Sequence, residues 1–255
     1  MFHKSAIAVA ILAGAAGLFA YANNMPAASP AQAAASEAAV EGPTGPVLLE
    51  LFTSQGCSSC PPADRLAAKL AEEDGLIVVS RPVTYWDRLG WKDTLAKPEN
   101  TDLQRAYARS TLEGRNGVYT PQLVVDGTRG EVGSNETRVR RMIRQEQGAD
   151  HAIIVNRRAA GGARVTVSGD VPRDAELVLL ALDASASVAI GRGENRNRTV
   201  HYTNVLLGET KLSPASGQRT AFDLPGDALS RADADRYALV LRLPNAGKVL
   251  ASRLI

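Results

Sequence analysis

Leu48-Leu49-Glu50-Leu51-Phe52-Thr53-Ser54-Gln55-Gly56-Cys57-Ser58-Ser59-Cys60-Pro61-Pro62-Ala63-Asp64 sets two cysteines between an apolar run and a helical repeat. The run Val47–Phe52, bounded by Gly45-Pro46 and by Thr53–Gly56, has the profile of a buried strand. Beyond the cysteines, Ala63, Leu66, Ala67, Leu70 and Ala71 recur with helical spacing, with prolines permitted in the first turn and Gly75 just past the end. Cys57 therefore stands where a strand hands over to a helix, a place where backbone N–H groups and the helix dipole favour a thiolate.

Further along, Leu76–Thr84 reads as a second strand and Tyr85–Trp91 as an aromatic loop. Asn100 or Thr101 is suited to cap a helix running to about Leu112, which Gly114 and Gly117 end. Pro121–Val125 gives a strand closing in an Asp126-Gly127 hairpin turn. Ser134 or Asn135 opens a helix to about Gln147, with Val139, Met142 and Ile143 as its apolar stripe. From His151 the texture changes to short β-branched runs, among them Glu176–Leu182, Val188–Ile190 and His201–Leu207, which argue an antiparallel sandwich. The expected organisation is a domain over 46–149 and a smaller β-rich domain over 150–255.

At the N-terminus, a short basic start, an uncharged apolar run and Ala20-Tyr21-Ala22 fit a secretory signal over residues 1–22, or an uncleaved anchor. Residues 23–45, rich in Ala, Pro, Ser and Gly, read as a flexible linker. The chain is expected in the periplasm or outside the cell, touching a membrane only if that segment stays attached. A net charge of +2 over 255 residues gives no reason to expect nucleic acid. Cys57 and Cys60 are the only cysteines, so in an oxidising compartment they meet each other. Three scattered histidines leave too few ligands for zinc, and no metal or cofactor is expected.

The order strand, Cys57-Ser58-Ser59-Cys60, helix and, later, Val118-Tyr119-Thr120-Pro121-Gln122-Leu123-Val124-Val125-Asp126-Gly127 resembles the thioredoxin superfamily. More narrowly, Leu51–Asp64 together with Gly193-Glu194-Asn195 and His201-Tyr202-Thr203-Asn204-Val205 resembles an exported bacterial thioredoxin-like family catalogued as a domain of unknown function. The resemblance implies an α/β thioredoxin-like domain followed by the antiparallel β-sandwich-like one. It implies a cis Thr120–Pro121 pair presenting backbone to an extended substrate, and it puts Glu50 where thioredoxins carry a buried acid able to relay a proton to Cys60. Glu50 is open to another reading, as an edge-strand carboxylate in water or paired with an arginine. The Ser58-Ser59 pair and Pro61-Pro62 depart from thioredoxin and leave the direction of electron flow unread.

Three functions fit these residues. The leading one is thiol–disulfide exchange on protein thiols or disulfides, reset by an unknown redox partner, with Cys57 the solvent-facing nucleophile and Cys60, one turn inward, the resolving thiol. The others are a binding module with a structural disulfide and a carrier of a soft metal such as Cu(I). Trp86 and Tyr119, with Tyr85 and Trp91, form either an aromatic rim that binds the substrate beside Thr120 and Pro121 or core between the domains. Arg192, Arg196 and Arg198 fit a solvated hairpin better than an anion site.

Overall fold

The computed structural model of the chain describes residues 45–110, 112–146, 151–158, 161–212 and 221–255; the expected signal, 1–22, and residues 23–44 of the linker lie outside these. β1 (Val47–Thr53) is buried along its whole length, as a continuous apolar run requires of a strand covered on both faces. Its side chains alternate. Leu49 and Leu51 pack with Ala63, Leu66, Ala67 and Leu70 of α1 (Pro61–Leu70) and with Val139, Met142 and Ile143 of a later helix. Phe52, on the other face, packs with Tyr107 of α2 (Pro98–Arg109).

β2 (Leu76–Pro82) runs parallel to β1, joined by α1. α2 begins at Pro98, two residues before the expected caps, because proline suits the first helical position. Asn100 and Thr101 turn inward instead: the Asn100 amide donates to the Pro82 carbonyl at 2.9 Å, and the Thr101 hydroxyl accepts from the Thr84 N–H at 3.0 Å. A two-residue strand β3 (Glu113–Gly114), then β4 (Gln122–Val125), β5 (Arg129–Val132) and α3 (Glu136–Gln145) complete this half. β4 lies antiparallel to β1 with Gln122 opposite Phe52, which sets Thr120-Pro121 beside the loop that leads into the cysteines. The Thr120–Pro121 peptide bond is cis.

The remaining chain forms β6 (Ala152–Arg157), β7 (Ala163–Ser168), β8 (Glu176–Ile190), β9 (Arg198–Lys211), β10 (Ala221–Leu224), β11 (Arg236–Arg242) and β12 (Val249–Leu254). β8 joins two runs that the sequence suggested were separate. Leu177–Leu182 is buried on both faces, whereas beyond Leu182 the strand is half exposed, with Ala186 and Ile190 buried in a core and Val188 partly buried against it, so the polar residues between read as a break.

The strands after residue 150 lie in two packed layers. β6, β7 and β10 form a three-stranded sheet packed on β8, β11 and β12. Those partner strands belong to a nine-stranded sheet of order β12-β11-β8-β9-β2-β1-β4-β5-β3 among the described residues. The molecule is thus a mixed α/β structure, one large sheet with few helices. β9 meets β2 at Ser80 and Val205, where Ser80 Oγ donates to the Thr203 carbonyl at 2.7 Å and the Asn204 amide donates to the Val78 carbonyl at 2.9 Å. A core of Leu48, Ile77 and Val79 with Val178, Leu180, Leu206 and Val240 joins strands from before and after residue 150, and the described residues form one compact unit. At the far end, Ser252 Oγ donates to the Pro46 carbonyl at 2.7 Å. Among the described residues no helix is long and apolar enough to cross a membrane.

Candidate functional site

Cys57 and Cys60 are joined by a disulfide at the start of α1, with Cα atoms 5.4 Å apart. The loop before them turns tightly, the Cys57 N–H donating to the Ser54 carbonyl at 3.1 Å and the Cys60 N–H to the Cys57 carbonyl at 3.2 Å. Cys60 is the N-cap of α1, and the two prolines that follow carry no N–H. The first helical donors, Ala63 and Asp64, both turn to the Cys60 carbonyl. The helix start therefore offers Cys57 fewer N–H groups than its sequence position suggested. The polar group at its sulfur is the Ser59 hydroxyl, 3.3 Å away.

Both cysteines are fully buried, whereas Ser58 and Ser59 between them are exposed. A solvent-facing Cys57, expected from the sequence, is not what the fold presents. The tip of the β8–β9 hairpin, residues 191–197, reaches back to the main chain of the motif. The Asn195 side-chain amide donates to the Cys57 carbonyl at 2.8 Å and to the Gln55 carbonyl at 3.0 Å. Glu194 Oε2 accepts the Ser58 N–H at 3.1 Å, and these Ser58 contacts hold its carboxyl below the usual range. Arg198 Nη1 donates to Asn195 Oδ1 at 3.1 Å, which fixes which way the amide points. Trp91 fills the space beneath, its ring against Gly191 and its indole N–H donating to Gln55 Oε1 at 2.8 Å.

Of the expected site residues, Trp86 and Thr120 are brought together. The Trp86 indole N–H donates to Thr120 Oγ1 at 2.8 Å while its Cβ lies against Gly56, so it ties the cis-proline turn to the cysteine loop. Pro121 is buried beside Gly133. Tyr119 is held elsewhere, under the Arg115 guanidinium at 4.7 Å, with its hydroxyl donating to the Arg115 carbonyl.

Glu50 is buried but turned away from the cysteines. It shares a face of β1 with Leu48 and Phe52, opposite the face that carries α1. Arg81 Nε holds it at 2.6 Å and the Tyr107 hydroxyl donates to it at 2.5 Å, so of the two readings of Glu50 the geometry carries the arginine pair. The acid on the motif's own face is Asp64, one turn along α1 from Cys60. Its Oδ1 accepts from Thr53 Oγ1 at 2.7 Å, Oδ2 is buried without a partner, and burial pushes its pKa up to about 7. Asp93, also raised by burial, accepts the Gln55 N–H at 2.7 Å. Sequence pattern gave Asp64 and Asn195 no role, since neither lies on an apolar stripe. Their only signal was membership of the stretches that carry the family resemblance. Among the described residues no group of three or more His, Cys, Asp or Glu side chains is placed to hold a metal.

A family model described as "Protein of unknown function (DUF1223)" matches residues 48–242. A curated relative, a "Probable Thioredoxin" from Archaeoglobus fulgidus, is 40% identical over 37 residues, which is 14% of this chain and 41% of that protein. Among solved structures, protein AGR_C_4864 from Agrobacterium tumefaciens is 27% identical with a TM-score of 0.70, covering 82% of this chain and 93% of its own. HBP35 of Porphyromonas gingivalis, 14% identical with a TM-score of 0.56 over 83% of this chain and 75% of its own, shares the fold.

Proposed function

The chain belongs to the DUF1223 family, and from the geometry of its own site we propose that it is an exported thiol–disulfide oxidoreductase built on a thioredoxin-like half. The observation that carries this is the Cys57–Cys60 disulfide at the start of α1, with Thr120-Pro121 tied to the same loop by Trp86. A bridge closing so short a loop contributes little by restricting the unfolded chain, which argues for chemistry over stapling. The short likeness to a probable thioredoxin agrees with it.

In the direction that starts from the oxidised motif, a partner thiolate attacks Cys57 Sγ. The Cys57–Cys60 bond breaks, and Cys60 leaves with the electron pair and takes up a proton. A second thiolate of the partner then attacks the partner's sulfur in the mixed disulfide and releases Cys57 as a thiolate. One partner dithiol is oxidised to a disulfide, and two electrons pass to the motif. Thr120 and Pro121 dock the partner, and Asp64, in the first turn of α1, exchanges the proton with Cys60 in place of Glu50.

The burial of Cys57 favours one other reading, a binding module whose disulfide stays shut. One experiment separates the two: equilibrate the chain with graded glutathione buffers and score the thiols by alkylation and mass. A reversible midpoint between about −270 and −120 mV is expected of an oxidoreductase, and a pair still oxidised below about −300 mV would leave the binding module.

A further inference from the structure

The disulfide that the proposed exchange must open has no exposed surface, yet the two serines between its cysteines stand in solvent. The segment bound to the main chain on either side of Cys57 comes from more than 130 residues away. Asn195 donates to the carbonyls of Gln55 and Cys57, and Glu194 accepts from the Ser58 N–H. These are the main-chain groups that flank the reacting sulfur. Asn195 is itself 1% exposed, whereas the Glu194 side chain is open to water. The tip is therefore pinned at one buried point and one surface point. Gly191 and Gly193 border Trp91, and Gly193, at a φ of +78°, is a position where the backbone turns freely.

From these contacts we infer that residues 191–197 form a cover over the disulfide, and that Asn195 is the positioning residue that keeps it closed, so that thiols reach Cys57 only through an opened tip. This rests on the exchange chemistry proposed above. Opening frees the Ser58 N–H and the Gln55 carbonyl and leaves the Cys57 carbonyl with the Cys60 N–H alone, a donor and acceptors of the kind an extended polypeptide engages. The cover thus gives the advantage to partners that take over its hydrogen bonds.

Gating has a kinetic signature that a merely structural role lacks. With the full oxidised chain and rising dithiothreitol, the rate of reduction levels off at the rate of tip opening. In N195A, and in E194A where no buried group is touched, the plateau is expected to rise about tenfold, the scale set by losing one or two hydrogen bonds. E194Q keeps an acceptor for the Ser58 N–H while removing the charge, and should stay near the parent. Rates that climb linearly with dithiothreitol and coincide in parent, N195A and E194A would overturn the cover while leaving the oxidoreductase intact. An E194Q as fast as E194A would also overturn it, since repulsion of the incoming thiolate would then explain the difference. A pair that no variant allows to be reduced would instead remove the exchange chemistry, and the cover with it.

Discussion

Arg81 holds Glu50 across the parallel β1–β2 pair at 2.6 Å, both side chains 2% exposed. The guanidinium is shared with Asn100 and Glu209, so one arginine satisfies groups from β1, α2 and β9. Removing one member of such a pair strands the other charge, and Arg81→Met is expected to cost about 3–5 kcal/mol in urea unfolding. Because the pair lies on the sheet face away from α1, Glu50→Gln should lower stability yet leave the Cys57–Cys60 midpoint where it was. A shift in that midpoint would restore Glu50 to the reaction.

Asp64 gives stability a pH dependence whose sign is fixed. Its folded pKa, about 7, lies above the unfolded value of about 3.9, so the folded chain binds the proton more tightly. Stability is therefore lost as pH rises from about 4 to 7, by about 2–4 kcal/mol at most. Asp64→Asn should match the parent near pH 4 and exceed it at pH 8. Part of the slope should survive in the variant, since burial also pushes Asp126 up to about 7.

The chain's two tryptophans both border the motif, Trp86 against Gly56 and Trp91 bonded to Gln55. Disulfides quench nearby indoles, so reduction should raise the intrinsic fluorescence, and Trp86→Phe and Trp91→Phe should each remove part of the change. Fluorescence that ignores the redox state would place both rings beyond reach of the sulfurs.

Cys60→Ser removes the resolving thiol, so exposure to a partner disulfide should accumulate a mixed disulfide on Cys57, visible by mass. Cys57→Ser should accumulate none. Equal trapping by both variants would contradict the division of roles.

Asn204 adopts a left-handed φ of +48° while its amide donates to Val78 and its oxygen accepts from Arg236. Asn204→Ala combines an unfavourable backbone with an unpaired buried carbonyl, and should cost about 2–4 kcal/mol. Asn204→Asp, which tolerates the backbone and keeps the Arg236 acceptor, should cost less. Chemical denaturation of the two variants decides it.

The elements around the cysteines were readable because their signals are local: an apolar run for β1, the 3.6-residue repeat for α1, the Asp-Gly turn after β4. What escaped the sequence depends on distance. The β2–β9 junction is formed by a short parallel contact at Ser80 and Val205 and leaves no periodic trace. Glu50 reads the same in a strand whether it faces water, a cysteine or Arg81, because alternation gives the face and not the occupant. Asn195 sits in a polar hairpin tip, where composition alone describes a solvated turn.

The bond from Ser252 to Pro46 joins nearly the last residue of the described chain to nearly the first. Synthesis proceeds from the N-terminus, so Cys57 and Cys60 emerge long before Asn195 exists to bind the main chain beside them. For that interval the thiols answer to whatever oxidants and reductants surround the nascent chain. The compartment in which the second half arrives therefore sets the oxidation state in which the finished fold starts out.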